Sequence, residues 1–195
     1  MSIRILQDIV KRVETAINSL IAVQPELDDE YLEHGENAPV TISFEHHVIH
    51  EGYHYIATYS ATLGAAATLR MLMVTPPEAT ADIHLFYEAS NGLGGTWILY
   101  EDTATSNDGT PVTAVNSKRE SPNTATLKVY HTPTVTSPGT ALTTFISGSG
   151  NRGGGSDKRD SELILKPDTK YLLQFTADGN NTPAAANLLW YELLA

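Results

Sequence analysis

Residues 170–177, KYLLQFTA, decide the fold class. Tyr171, Leu173 and Phe175 recur at every second position, the period of a strand that buries one face. Residues 186–193, ANLLWYEL, do the same with Leu188, Trp190 and Glu192. Working outward, further strand-like runs are VTISFEHH (40–47), YHYIATYSA (53–61), ATLRMLMV (67–74), ADIHLFYEA (81–89) and GTWILYED (95–102). TPVTAV (110–115), TATLKVYH (124–131), ALTTFI (141–146) and SELILK (161–166) complete the set. Turn-forming residues separate them: Pro76-Pro77, Asn91-Gly92, Gly94-Gly95, Asn107-Asp108-Gly109, Ser137-Pro138-Gly139 and Asp178-Gly179. Many short strands with this punctuation predict an all-β domain over 40–195, a jelly-roll-like β-sandwich. No second helical period and no internal repeat are evident there. Residues 147–160, SGSGNRGGGSDKRD, read as a flexible low-complexity loop.

Two other regions precede the domain. Residues 25–39 are rich in Glu, Asp and Pro, without Lys or Arg, and read as an acidic linker rather than a calcium loop. Residues 1–24 predict an amphipathic helical arm. Ile3, Leu6, Val10, Val13, Ile17 and Leu20 follow a heptad spacing, and such a seam requires burial on its own domain, a neighbouring copy or a partner. The arm carries Arg4, Asp8, Lys11, Arg12 and Glu14 through its apolar positions, so it is not expected to act as a secretion signal.

The histidines concentrate in residues 45–55, EHHVIHEGYHY. His46, His50 and His54 share strand parity and are the candidate metal ligands. Gly52 interrupts the run, which favours a strand, a tight turn and a second strand, with His47 and His54 able to face each other. That reading leaves the imidazoles unligated, with a pH-sensitive contact as a further alternative. Gly148, Gly150 and Gly153 spell a dinucleotide-type glycine pattern without the helix it needs. Asn180-Asn181-Thr182 is a sequon that means little without secretion. Trp97, Tyr100, Trp190 and Tyr191 are candidates for a sugar-stacking platform, although aromatics on strands more often belong to a core.

The chain has 195 residues, no cysteine and a formal net charge of −11. The absence of cysteine excludes disulfides and thiolate metal sites. The charge argues against nucleic acid and anionic membrane as partners, because both call for clustered Lys and Arg.

From His50 onward, several blocks occur in order: HEGYHYIATYSATLGAAATLRMLMVTPP, IHLFYEASNGLGGTWILYEDTATSNDGTPVTAVNSKRES, HTPTVTSPGT and ELILKPDTKYLLQFTADGN, closed by LLWYE. This succession resembles a group of tailed-bacteriophage structural proteins, the head decoration or cement proteins. The resemblance spans nearly the whole β domain and excludes the arm. It implies a non-enzymatic protein on the capsid exterior, without cofactor, assembled in the bacterial cytoplasm. Its partners would be the major capsid protein and itself, as a homotrimer. A phage tail or baseplate module binding host glycan is the alternative.

Overall fold

The computed structural model describes residues 43–78, 80–148, 155–158 and 162–194. The expected arm with its seam at Ile3, Leu6, Val10, Val13, Ile17 and Leu20, and the linker at 25–39, lie outside the described residues.

The described chain is mainly β. One helix, α1 (Phe44–Glu51), precedes the strands. The first layer is built from β1 (His54–Leu63), β3 (Ala81–Asn91), β7 (Val115–Asn116), β11 (Gly155–Lys158), β12 (Leu163–Leu165) and β14 (Thr182–Leu194). They form a six-stranded sheet in the order β11-β3-β14-β1-β7, with β12 also paired to β3. The second layer is built from β2 (Thr68–Val74), β4 (Gly95–Glu101), β6 (Thr110–Val112), β8 (Lys128–His131), β10 (Thr140–Ser147) and β13 (Lys170–Ala177). Its order is β10-β4-β13-β2-β8-β6. Strands β1, β2, β3 and β4 alternate between the two sheets, as do β13 and β14, so each connection crosses from one layer to the other. Among the described residues no helix is long and apolar enough to cross a membrane.

One core joins the layers. Tyr55, Ala57, Ile83, Leu85, Tyr87, Leu188 and Trp190 come from the first sheet; Leu69, Met71, Met73, Trp97, Leu99, Tyr171, Leu173 and Phe175 come from the second. The period-two expectation holds: Tyr171, Leu173 and Phe175 are buried together, and so are Leu188, Trp190 and Glu192. Facing inner surfaces of two sheets exclude water between them, and each large side chain so buried contributes roughly 1.5–3 kcal/mol. Trp97 packs on Phe175 at 4.8 Å between ring centroids and Tyr55 on Trp190 at 5.7 Å. Glu192 is the charged member of this inner surface. Its carboxylate accepts from the Thr126 and Leu127 amides, the Thr126 hydroxyl and the Trp190 indole, at 2.7–3.1 Å. These donors replace the water it lost.

The structure corrects the sequence expectations in three places. The strand expected over 40–47 is, from Phe44, a helix. Ser43 caps it, its hydroxyl accepting from the His46 amide at 3.3 Å, and Gly52 ends it in the left-handed region at φ 79. The Gly52 and Tyr53 amides donate back to Ile49 and Val48 carbonyls, so Gly52 closes a helix and opens no hairpin. The loop expected over 147–160 contains β11, which pairs antiparallel with Glu88 to Asn91 of β3.

The third correction is an internal correspondence. After β4 the chain turns at Asp102 (φ 61), forms β5 (Ala104–Asn107), turns at Gly109 (φ 96) and enters β6. After β8 it turns at Thr132 (φ 56), forms β9 (Thr134–Ser137), turns at Gly139 (φ 88) and enters β10. Tyr100 and Tyr130, Gly109 and Gly139, and Thr110 and Thr140 occupy equivalent places. The pairing is reciprocal: Thr140 opposes Glu101, Thr110 opposes His131, and β5 pairs with β9. The two passes form a crossed ribbon with local twofold symmetry. Lys170, on the outward side of β13, ties the ribbon to its sheet through Thr105 at 2.9 Å and Asp108 at 2.5 Å.

Candidate functional site

The most concentrated chemistry lies where α1 meets the outer face of the first sheet. Strand register sets a row there. His54 on β1 opposes Tyr191 on β14, Tyr191 opposes His84 on β3, and His84 opposes Ile164 on β12. All four point away from the core, because their neighbours Tyr55, Trp190, Leu85 and Leu165 point into it. A bare sheet face would expose this row. Helix α1 covers part of it: Phe44 meets the Tyr191 ring edge-on at 5.8 Å, and Val48 is buried. His84 stacks on Tyr191 from the other side at 4.5 Å, nearly parallel.

Two imidazoles are buried on this outer face, His54 at 3% exposure and His84 at 8%. His54 Nδ1 bonds the Ser117 hydroxyl at 2.6 Å. Its Nε2 has no hydrogen-bond partner and lies 3.9 Å from the Glu45 carboxylate. His84 Nδ1 also lacks a hydrogen bond of good geometry and lies 3.3 Å from the Glu162 carboxylate. Tyr191 donates its hydroxyl proton to the same carboxylate. Burial pushes the His54 pKa down, against an opposing pull from the Glu45 charge. The Tyr191 hydroxyl bond, aided by His84, holds Glu162 below the usual carboxylate range. Burial and then Glu162 push Tyr191 up. The result is a neutral histidine on one side of the tyrosine and a fixed carboxylate on the other.

Asn116 at the end of β7 and the loop after it hold the helix in place. Asn116 and Asn123 amides donate to the Gly52 carbonyl at 2.8 and 3.2 Å. Asn123 also reaches the Glu51 carbonyl at 3.3 Å, and the Lys118 ammonium reaches the His50 carbonyl at 2.9 Å. These are the carbonyls that a helix C-terminus leaves without intrahelical partners, and a cation there complements the helix dipole.

The three candidate ligands part company. His46 and His50 share one exposed face of α1, with their Nε2 atoms 2.9 Å apart. His54 lies on β1 beyond the helix cap, engaged with Ser117, so His46, His50 and His54 do not converge. Nor does His47 face His54; it pairs with Glu51 one turn along the helix at 3.2 Å. Among the described residues no group of three or more His, Asp or Glu side chains is placed to hold a metal ion. Trp97 and Trp190 are fully buried in the core and Tyr191 lies beneath α1, so the sugar-stacking platform does not form.

His84, Glu162, Tyr191 and Ser117 were not singled out from the sequence as a group. The parity of residues 81–89 places His84 outward, which is legible; that it is buried there, stacked on Tyr191 and beside Glu162, is not. No protein-family model matches the chain, and no curated protein matches it.

Proposed function

We propose that the chain is a non-enzymatic virion structural protein, decorating or cementing a tailed-phage capsid through contacts with the major capsid protein and, as a homotrimer, with itself. The strand order supports reading the sandwich as a jelly roll: β1-β14-β3-β12 in one layer faces β2-β13-β4-β10 in the other. Double-sheet rolls of this kind recur among capsid proteins. The seam expected at Ile3, Leu6, Val10, Val13, Ile17 and Leu20 would add an arm for docking.

The observation that carries the reading is the apolar character of the edges beside β3 and β4. β10 ends the second sheet there, and Tyr87 and Asn91 of β3 bond its Thr143 and Ser147. β12 lies on the outer side of β3 in the first sheet. Ile146 on β10 is 72% exposed and Ile164 on β12 is 61% exposed, with Leu142 also exposed. Phe145 packs on the core, so Ile146 stands on the outer face of the second sheet, whereas Ile164 stands on that of the first; each is an exposed apolar side chain at a sheet margin, and the two suit contacts with two different neighbours.

Ile146→Asp combined with Ile164→Asp tests this. The wild-type chain is expected to have trimer mass by light scattering and to occupy capsids stripped of decoration protein. The double variant should lose both with its thermal unfolding unchanged. A monomeric wild type that leaves capsids bare rejects the reading. The glycan-binding alternative has one feature in its favour, an open depression of about 690 Å3 bordered by Ser60, Thr62 and Ser90 hydroxyls. Saturable binding of host polysaccharide to that depression would favour the alternative.

A further inference from the structure

We propose that Asp178-Gly179 is a site of spontaneous covalent modification, at which the folded chain converts aspartate to isoaspartate through a succinimide ring. The chain holds one Asn-Gly step, Asn91-Gly92, and two Asp-Gly steps, Asp108-Gly109 and Asp178-Gly179. Glycine leaves the next amide nitrogen without a flanking side chain and the backbone free to bring it onto the preceding side chain. The Gly179 nitrogen attacks Cγ of the protonated Asp178 carboxyl. The N–Cγ bond forms, and the amide proton leaves with the carboxyl hydroxyl as water. A second water then adds to either ring carbonyl, and the C–N bond at that carbonyl breaks. Opening at Cγ restores aspartate. Opening at the other carbonyl leaves the main chain running through Cβ and Cγ, with a free α-carboxylate. Nothing is oxidised or reduced, and the only co-reactant is water.

The fold blocks this route at two of the three steps. The Asn91 side chain accepts from the Trp97 indole at 3.0 Å and donates to the Ser147 hydroxyl at 2.7 Å and the Leu93 carbonyl. The Gly92 nitrogen donates to the Pro183 carbonyl at 2.8 Å, so nucleophile and electrophile are both held. The Asp108 carboxylate accepts from Lys170 and Thr105, each at 2.5 Å, and the Gly109 nitrogen donates to the Asn107 side chain at 2.7 Å. Lys170 and then Thr105 also hold that carboxyl below the usual range, in the ionised form that resists attack. Asp178 is exposed, and among the described residues nothing bonds its carboxyl. The Gly179 nitrogen has no bond there either, and a Cβ on Gly179 would meet nothing within 4 Å. The chain around the pair is held: the Asp178 amide donates to the Gly94 carbonyl at 3.1 Å, and the Thr182 hydroxyl to the Gly179 carbonyl at 2.8 Å. Ring closure here breaks no native bond of the reacting groups. The turn joins β13 to β14, so the extra main-chain carbon enters the connection between the two central strands.

Incubation of the full-length chain in water labelled with heavy oxygen tests the site. Each ring opening fixes one solvent oxygen in the residue, and peptide mass spectrometry after digestion in ordinary water locates it. Label and a chromatographically shifted isoaspartyl peptide should accumulate at Asp178 about tenfold or more faster than at Asp108 or Asn91. The two held sites react only through openings that break at least two hydrogen bonds. Asp178→Glu keeps the charge but demands a larger ring, and should lose the signal. Gly179→Ala should slow it, because the added methyl crowds the attacking nitrogen. Circular dichroism of both variants verifies that the fold is retained. In urea sufficient to unfold the chain, Asn91 and Asp108 should begin to react, because the bonds that held them are gone. Label at Asp178 of the folded chain that is no faster than at Asp108 overturns the proposal. So does label that persists at residue 178 in Asp178→Glu, or relative rates at the three sites that are the same with and without urea.

Discussion

Burial opposes the charged form of His54 more strongly than the Glu45 carboxylate favours it, and acid stability depends on that imbalance. The folded pKa is depressed, so the unfolded chain binds the extra proton first. Stability contributed by neutral His54 is complete above the ordinary value of 6.5 and declines as pH falls from 6.5 toward the folded value. Glu162 acts in the same direction at lower pH: its support is present above 4.5 and is lost as pH falls through its depressed folded value. Urea unfolding across this range should show the first decline in wild type, and His54→Gln should lack it. Glu192 governs a larger effect. Glu192→Ala leaves the half-buried Thr126 amide, the buried Leu127 amide and the Trp190 indole without their acceptor. A loss of about 3–5 kcal/mol in unfolding free energy is expected by the same measurement. The alternation around residue 190 was plain in the sequence, and Glu192 fell on its inner side. What the sequence did not disclose was a carboxylate partnered by donors more than sixty positions earlier.

Among the elements, long period-two strands were legible because their pattern is set by burial, which the residues themselves record. The short elements were not. Residues 44–51 contain three histidines, Val48 and Ile49 in a run that suits a strand as well, and only Ser43 and Gly52, acting as caps, settle on a helix. Strands β5 and β9 are built of Thr, Ser, Ala, Asn and Val and pair only with each other, so nothing in either segment alone announces them. Their bounding turns, Asn107-Asp108-Gly109 and Ser137-Pro138-Gly139, were recognisable. Those two glycines are the crossed ribbon's points of vulnerability. A Cβ at Gly139 would lie 2.0 Å from the Glu101 carbonyl oxygen, and one at Gly109 would lie 2.3 Å from that of His131. Both glycines also hold positive φ, where an added Cβ costs roughly 1–2 kcal/mol before any clash. Gly139→Ala and Gly109→Ala should each destabilise by about 2 kcal/mol or more in thermal unfolding. Gly148→Ala, where a Cβ meets nothing within 4 Å, should fall within about 0.5 kcal/mol of wild type.

At the scale of the molecule, Ser43–Ala195 is a compact unit with its own core. Expressed alone, it is expected to unfold in a single cooperative transition by circular dichroism; a broad, non-cooperative melt would show that residues 1–42 complete the core. Within this unit the strands that hold the two sheets together are its last. β13 lies between β4 and β2, and β14 lies between β3 and β1. While a ribosome is still adding residue 169, β1 through β12 exist, but neither sheet has its centre. The nascent chain must keep Tyr55, Leu85, Met71 and Leu99 waiting for partners that have not been translated. The fold is thus a test of completeness. A product truncated before Thr182 keeps most of the chain, cannot close the first sheet, and presents two unpaired strand edges to proteases and chaperones.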